Sequence, residues 1–349
     1  RKPAEHAVPW ETVRDELRQQ VFLADDEKDT LPPTELEKAE LVRRRSLLHA
    51  EMVERLPIEL GAMRTALVAS TEQERVRGII RGTTLHVLDE AHHEGGDVGE
   101  LWASDVSRPE VSRRWIVRSA PTPRLDFFVS HSWHDDGDAK GLTSKSTESN
   151  ARALAEYGRR KAVALQNVVR TAAEMEEART RHAPDRSKWL FFLDKVCIPA
   201  FDPQLKGACV SRLEGIIAAS DALIVLLTPR YLRRLWCVYE WSCFLVSKRP
   251  EDVLVNHRSF STPSNEAAYR TAIRGLSVAS CECSIESDRT MLRAKVEEYY
   301  ISDDAFADFA RFTMVALIVR DYYAYPPLIK TVRLFAEHAE PWVRLALDL

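Results

Sequence analysis

The sequence of 349 residues has little of three things: long apolar runs, clustered basic residues and cysteine. Its longest apolar runs, Ala222–Leu227 and Met314–Val319, are far shorter than the roughly 20 residues of a membrane-spanning helix, so we expect a soluble protein without a membrane span. The 49 basic and 53 acidic residues give a net charge of -4, with no polybasic tract. This balance disfavours nucleic acid and anionic membrane surfaces as partners.

The six cysteines are too few for a disulfide scaffold, and several lie on apolar faces, where a thiol acts as a small hydrophobe. This pattern favours the cytoplasm or another reducing intracellular compartment. The chain begins with Arg1 rather than Met and shows no apolar signal core. We therefore expect a processed or trimmed fragment whose targeting segment is missing, which leaves the compartment open.

The stretch from Ser220 to Val246 organises the rest of the chain. Its first half contains the apolar run Ala222–Leu227, closed by Thr228 and Pro229, which is typical of a central strand buried on both faces of a parallel sheet. Its second half repeats apolar residues at helical spacing and predicts a helix that packs back on the sheet. Glu240 then lies just past the carboxyl end of a buried strand, where ligands gather in open α/β sheets.

Further strands and helices alternate around this stretch. A long amphipathic helix is predicted from about Ser149 to Arg181, and Lys195–Lys206 is predicted to be an exit loop. The alternation predicts an α/β unit with a parallel sheet. The other predicted strands are Leu125–Trp133, Trp189–Asp194, Val253–Val255 and, as a candidate edge strand, Ser277–Cys283.

Residues 1–123 are predicted to form a separate helical unit and linker. A capping box at Thr34–Glu37 opens one charged helix, and a second helical pattern runs over about 58–88. The pair His92–His93 lacks a third ligand nearby, so we predict a solvated loop and no metal site. The α/β unit follows at 124–320, and helical patterns at 321–349 predict a C-terminal helical tail.

Four ordered blocks in this unit resemble one known family. They are Asp126–Trp133, Trp189–Ile198, Ser220 before the apolar strand, and Tyr231–Glu240. Together they resemble the TIR (Toll/interleukin-1 receptor) domain, most closely the TIR-like domains of algae, dinoflagellates and other protists. The resemblance covers about residues 124–320 and implies a flavodoxin-like parallel sheet sandwiched by helices.

The resemblance also implies a site for NAD as a substrate, without a metal. The glutamate of the Trp-Cys-x-x-Glu block, Glu240, takes the place of the catalytic residue for NAD cleavage. Breaking the nicotinamide–ribose bond passes through an oxocarbenium-like state that a carboxylate stabilises, and nicotinamide leaves as a neutral amide without a general acid. The pocket residues that the resemblance implies are Ser130, His131, Ser132, Trp133, Asp194, Lys195, Cys197 and Trp236.

These side chains also have structural interpretations. Glu240 on the first turns of a helix interacts favourably with the helix dipole, and Trp236 is more often a core anchor than a stacking platform. Cys197 is reactive only if it is exposed beside a cation such as Lys195, and a packed thiol is the default. The sequence leaves both interpretations open.

Two functions therefore remain. The first is a TIR-like signalling or scaffolding module that acts through TIR–TIR or other protein contacts and can retain NAD nucleosidase activity. The alternative is a TIR-derived structural subunit of a larger complex without catalysis. Two departures weigh against an enzyme: His131 opens a turn where many active relatives carry arginine or glycine, and Lys195–Lys206 contains no glycine. An open cleft with Glu240 at its floor would favour the enzyme.

Overall fold

The computed structural model describes residues 80–89, 100–103, 106–116, 118–133, 147–260, 266–283, 285–300, 302–324, 341–346 and 348–349. These residues form an α/β structure with one six-stranded mixed sheet. Its strands are β1 (Arg81–Thr84), β2 (Ala120–Pro121), β3 (Leu125–His131), β4 (Leu190–Phe192), β5 (Ser220–Leu226) and β6 (Val253–Asn256). The strand order across the sheet is β2-β1-β4-β3-β5-β6.

Helices surround this sheet. They are α1 (Leu85–Asp89), α2 (Glu100–Ala103), α3 (Pro109–Ile116), α4 (Thr147–Thr180), α5 (Asp194–Cys197), α6 (Pro203–Ser211), α7 (Leu213–Ala218), α8 (Leu235–Ser247), α9 (Glu266–Arg274), α10 (Glu286–Tyr300) and α11 (Asp303–Ala324). Residues 341–346 are also helical. Within the described ranges, no helix combines the length and the apolar character that crossing a membrane requires.

Four adjacent strands, β4, β3, β5 and β6, run parallel, as the alternation of elements predicted. β3 pairs with β5 along its whole length, from Leu125 opposite Ser220 to His131 opposite Leu226. The order of these four strands agrees with that of flavodoxin-like sheets, in which the chain reverses its direction of progress between the first and third strands. Here that switch point lies between β3 and β5, and a crevice opens beyond their carboxyl ends.

Strand β5 is buried, as its apolar run predicted, and it is an interior strand between β3 and the edge strand β6 rather than the centre of the sheet. Leu223, Ile224, Val225 and Leu226 are fully buried, and helices α4, α7 and α8 pack against the strand. Burying each of these side chains stabilises the fold by about 1.5–3 kcal/mol relative to leaving it in water. The position of the crevice is therefore fixed by the most deeply buried part of the sheet.

The sheet extends further than the sequence indicated. The predicted helix over about 58–88 is wrong at 81–84, which form β1 and pair antiparallel with β2 and β4, so the sheet is mixed rather than wholly parallel. This pairing satisfies backbone groups on the outer edge of β4, a gain that a local helical pattern does not reveal. Gly82 permits the close approach, because a Cβ there would lie 3.1 Å from side-chain atoms of Leu125 and Thr122.

The segment Ser277–Cys283 is not the predicted edge strand. The hydroxyls of Ser277 and Ser280 lie 3.0 Å apart, and each hydroxyl also bonds to backbone of the other residue. These local bonds fold the segment into turns, as serine side chains do when they compete with a strand ladder. Among the described residues, one isolated β-bridge, from Glu282 to Arg234, pairs this segment with another stretch of backbone.

The predicted exit loop Lys195–Lys206 is partly helical. Helix α5 continues through Cys197, and α6 begins at Pro203. Proline suits the first position of a helix, where its missing N–H would have no partner. Asp202 Oδ1 also accepts a hydrogen bond from the Leu205 N–H at 3.0 Å, which caps the new helix. The irregular part of this segment is therefore short.

Part of the segment before residue 124 contributes to the same core as the residues after it. Leu101, Trp102 and Trp115 are buried in the hydrophobic cluster that contains the side chains of β3 and β5. The division into units at 1–123, 124–320 and 321–349 stays a prediction. The expected capping box at Thr34, the pair His92–His93 and residues 325–340 of the predicted helical tail lie outside the described residues.

The close packing of β1 makes a testable prediction at Gly82. We expect Gly82→Val to lower the free energy of unfolding by about 1–3 kcal/mol, because its branched side chain has no room between Leu125 and Thr122. Urea unfolding followed by circular dichroism measures the change. The matched control is Gly207→Ala in α6, where a Cβ meets nothing within 4 Å, and it should raise stability by about 0.5–1 kcal/mol. Equal stability of Gly82→Val and the unmodified chain would contradict the β1 pairing.

Candidate functional site

A cavity of about 150 Å³ opens at the carboxyl edge of β3, β4 and β5. One water molecule needs roughly 10–15 Å³ of such space, so about ten waters or a ring-sized organic group fit inside. The walls come from the exits of β3 and β4, from α6 and from the start of α8. The polar and charged lining side chains are His131, Asp194, Lys206, Arg234, Glu240 and Asp288.

Glu240 reaches this cavity from α8. The apolar neighbours Trp241, Phe244 and Leu245 are buried and hold the helix against the core, as the helical spacing predicted. Glu240 is the sixth residue of the helix, whereas attraction to a helix dipole falls off within the first turn. The purely dipolar explanation of this glutamate therefore has little support from its position.

Glu240 touches the sheet through a short chain of hydroxyl groups. Its Oε2 lies 2.6 Å from Ser130 Oγ on β3, and Ser130 Oγ lies 2.6 Å from the Tyr231 hydroxyl. The Tyr231 hydroxyl donates in turn to the backbone carbonyl of Cys237, at 2.9 Å. The carboxyl group is thus tied to β3 and, through Tyr231, to the first turn of its own helix.

Burial raises the pKa of Glu240 to about 8. The hydrogen bond with Ser130 lowers the pKa and the nearby charge of Asp194 raises it, but both effects are smaller than that of burial. A carboxyl group with this pKa is mostly protonated at neutral pH. Such values are frequent at catalytic positions, where an acid or base must change its protonation state near the working pH.

Asp194 lies across the cavity at the start of α5. Its Oδ1 is 3.0 Å from His131 Nε2, its Oδ2 accepts the indole N–H of Trp133, and the Lys195 backbone N–H donates to Oδ1 at 2.6 Å. Burial alone would raise the pKa of Asp194, but the interactions with His131, Trp133 and Lys195 outweigh it, so the pKa lies below its ordinary value. Asp194 is therefore a fixed carboxylate in the cavity wall.

His131 is neutral in this arrangement. Burial lowers the pKa of its imidazole and outweighs the attraction of Asp194, and the charges of Lys161 and Lys195 lower it further. The Ser132 carbonyl, 3.1 Å from Nδ1, already accepts a hydrogen bond from Lys161 Nζ. The carboxylate beside Nε2 is the stronger acceptor, so we assign the one ring proton to Nε2.

Two tryptophans complete the lining, and a carboxylate holds each of them. Trp133 donates its indole N–H to Asp194, and Trp236 Nε1 lies 3.4 Å from Asp288 Oδ2. Both rings line the cavity. Rings that are fixed in this way present a flat apolar surface at low cost in side-chain entropy.

The structure brings together most of the residues that the sequence pointed to. Glu240 lines the cavity with His131, Trp133, Asp194 and Trp236. Ser130 does not line it but contacts Glu240 directly. These residues come from three separate stretches of the chain, and parallel pairing places their strand exits on one edge. Their roles in binding remain predictions.

Three expected pocket residues, Ser132, Lys195 and Cys197, do not border the cavity. Ser132 is buried, and Lys195 extends away to donate to the carbonyl of Trp102. Cys197 faces the Phe191 carbonyl, with Sγ 3.8 Å from its oxygen, and burial raises the pKa of the thiol to about 12. Lys195 and Cys197 are directed away from the cavity because α5 begins at Asp194, and its helical turn buries the side chains that follow. Cys197 is therefore the packed thiol that was the default interpretation.

Trp102 packs behind the site, although residues 1–123 were predicted to form a unit separate from the α/β unit. Its ring lies edge-on to the imidazole of His131, with centroids 5.1 Å apart, and its carbonyl accepts the Lys195 ammonium. Lys195 Nζ also lies 5.7 Å from the centre of the Trp133 ring, a cation–π contact. The turn of α2 is thus part of the wall behind His131 and Asp194.

Sequence reasoning missed four residues that act at the cavity: Tyr231, Lys206, Arg234 and Asp288. Tyr231 and Arg234 stand in the block that carries the family resemblance, close after the exit of β5, and that position was the available signal. Lys206 was assigned to the exit loop, and Asp288 was not linked to the site. Only the three-dimensional structure shows that the latter two face the same space as Glu240.

The raised pKa of Glu240 predicts a gain in stability for Glu240→Gln. The folded chain keeps its proton up to about pH 8, whereas the unfolded side chain ionises near 4.5, so this residue destabilises the fold increasingly as the pH rises from 4.5 to 8. Glutamine does not titrate and can donate its amide N–H to Ser130 as the protonated acid does. At pH 7 we expect Glu240→Gln to unfold with a free energy roughly 1–3 kcal/mol higher.

Urea unfolding at several pH values measures this effect, with exposed Glu177→Gln on α4 as the control. The gain should vanish toward pH 4.5 in Glu240→Gln, because both states of the unmodified chain are then protonated, and the control should show no such trend. A loss of stability at pH 7 in Glu240→Gln would show that the glutamate is ionised and paired in the folded chain.

Comparison with other proteins does not assign this chain to a family. Protein-family models, curated proteins and solved structures all yield no match to this chain. The fold class therefore comes from the sheet and its order, and the candidate site comes from the cavity that Glu240, Asp194 and His131 line. What this chain is related to stays a prediction from the quoted sequence blocks.

Proposed function

We propose that this chain is a TIR-like signalling module that cleaves the nicotinamide–ribose bond of NAD at Glu240. The observation that carries the proposal is the position of Glu240, a carboxyl group in the wall of an open cavity at the switch point between β3 and β5. The four sequence blocks that resemble TIR domains support the same assignment. In this proposal the protein acts within an assembly held by TIR–TIR or other protein contacts.

The chemical character of the cavity suits this substrate. Trp133 and Trp236 offer aromatic surface to a flat ring. Lys206 and Arg234 place two basic side chains in the same lining, and such groups bind phosphate through charge-assisted hydrogen bonds. A ligand with an aromatic ring at one end and a diphosphate further along matches both features.

The proposed reaction needs one carboxylate. The carbon–nitrogen bond breaks with its electron pair passing to the ring nitrogen, so nicotinamide leaves neutral, and the positive charge moves to the ribose. Ionised Glu240 stabilises that charge as carboxylates do in glycoside cleavage. Water then adds to the ribose carbon and releases a proton, giving ADP-ribose. Asp194 holds Trp133 and His131 in place during these steps.

The alternative function, a structural subunit without catalysis, gains no support from α11. An exposed apolar stripe on 34–88 or 302–347 would favour it. In α11 the exposed side chains among 303–320 are Asp304, Ala305 and Asp308, while Phe306 and Leu317 are buried. The region 34–79, where such a stripe was also considered, lies outside the described residues.

The proposal predicts nicotinamide release from NAD that depends on Glu240. We expect Glu240→Gln to lower the rate at least about 100-fold, because it removes the charge that stabilises the ribosyl cation. Chromatography of nicotinamide and ADP-ribose measures the reaction, with concentrated protein and a crowding agent to permit assembly. Glu177→Gln, an exposed acid on α4, should retain full activity. Absence of release by the unmodified chain, or equal release by Glu240→Gln, would overturn the proposal.

A further inference from the structure

The hydroxyl chain beside Glu240 has three short contacts and a fixed number of hydrogens. The contacts join Glu240 to Ser130 at 2.6 Å, Ser130 to Tyr231 at 2.6 Å and Tyr231 to the Cys237 carbonyl at 2.9 Å. The carbonyl can only accept, so Tyr231 must supply the hydrogen of the last contact. Ser130 must then supply the hydrogen of the middle contact. The first contact is left to Glu240, which can supply a hydrogen only when its carboxyl group is protonated.

An ionised Glu240 leaves one contact of this chain without a hydrogen, although the bond that Ser130 donates to the carboxylate by itself lowers the pKa of Glu240. The carboxylate would take the hydrogen of Ser130, and Tyr231 would then have one hydrogen for two remaining contacts. Either the Cys237 carbonyl loses the hydrogen bond from Tyr231 and keeps only its helical one, or the oxygens of Ser130 and Tyr231 face each other at 2.6 Å with no hydrogen between them. A buried hydroxyl contact without its hydrogen costs free energy. The geometry therefore favours the neutral acid independently of the cost of burying a charge.

Among the described residues, the one neighbouring charge that shifts the pKa of Glu240 is that of Asp194, which raises it. Among the lining residues, Asp194 is an ionised acid that opposes a second negative charge, and His131 is neutral. The ammonium of Lys195 donates to the Trp102 carbonyl behind the wall. The titratable groups that face the cavity with Glu240 are His131, Asp194, Lys206, Arg234, Cys237 and Asp288.

The geometry points to Ser130 and Tyr231 as positioning residues that keep a proton on Glu240, and to a cationic heteroaromatic ring as the ligand that displaces this proton. When a pyridinium-type cation lies beside the carboxyl group, its charge replaces the proton, which leaves to solvent. No bond of the ligand changes in this step, and the total charge is conserved. The inference rests on the proposed function for its ligand class and adds that cation binding and proton release are coupled.

The protonation state is tested in the full chain by carbon-13 NMR of glutamate labelled at its side-chain carboxyl, with the Glu240 signal identified by its absence in Glu240→Gln. We expect this signal to titrate near pH 8. In Tyr231→Phe the middle contact is gone, Ser130 is released to donate to a carboxylate, and the midpoint should fall by about one pH unit or more. Tyr299→Phe on α10 is the control and should leave the midpoint unchanged.

Two results would overturn the inference that the hydroxyl chain keeps a proton on Glu240. A midpoint near the ordinary 4.5 in the unmodified chain would mean that Glu240 is ionised. A midpoint near 8 that Tyr231→Phe does not move would mean that burial alone holds the proton.

Ligand coupling is tested with the N-methylnicotinamide cation, and with neutral nicotinamide as its matched control. As the pH rises toward about 8, the dissociation constant of the cation should fall about tenfold per pH unit, because one proton leaves for each cation bound. Above about pH 8 the dissociation constant should no longer change with pH. Calorimetry in buffers of different ionisation enthalpy should count about one released proton. Nicotinamide should show neither effect, and Glu240→Gln should abolish both.

These outcomes separate the inference from the proposed function. The cationic probe has no ribose, so its binding does not require bond cleavage. Proton-coupled binding in a chain that leaves NAD intact would uphold the inference and remove the enzymatic proposal. Cleavage of NAD with cation binding that is independent of pH, or failure of the cation to bind at any pH, would overturn the inference.

Discussion

The contact between Ser130 and Glu240 joins the central sheet to the helix that follows its most buried strand. Burial raises the pKa of the carboxyl group in this place, so it keeps its proton at neutral pH unless it acquires a positive partner. The rest of the site follows from this constraint. Strand β5 ends in the core, α8 folds back over the sheet, and its glutamate faces the crevice at the switch point.

Two of the three carboxyl groups that line this cavity, Asp194 and Glu240, experience opposite environments. Asp194 lies beside His131, receives a hydrogen bond from Trp133 and lies near the charge of Lys195, and together these outweigh burial, so its pKa is held low. Glu240 contacts one serine hydroxyl, and burial raises its pKa to about 8. Pairs of acids whose pKa values are separated in this way divide their tasks in many enzymes. Here Asp194 fixes the wall, and Glu240 is the group able to change charge.

Local sequence patterns predicted the parts of the fold that depend on local periodicity. The apolar run before Thr228 and the helical spacing around Trp241 predicted β5 and α8. They did not predict β1, because an antiparallel partner at the edge of β4 is a tertiary property. They also did not predict the turns at Ser277, where side-chain hydrogen bonds override an extended pattern.

At the site, too, local patterns predicted some features, and others depend on tertiary contacts. Glu240 and its neighbours on one sheet edge were predictable, since the exits of parallel strands lie on that edge. The inward direction of Cys197 was not, because it depends on the helical turn that starts at Asp194. The hydroxyl of Tyr231 and its place beside Ser130 depend on a contact between residues far apart in sequence. A single sequence gives no signal for such a contact.

The pH dependence of nicotinamide release from NAD tests the central claim most directly. If Glu240 must lose its proton for catalysis, the logarithm of kcat/KM should rise with a slope near one up to about pH 8 and then become level. A profile that is already level at pH 6, or complete absence of release at every pH, would contradict the account.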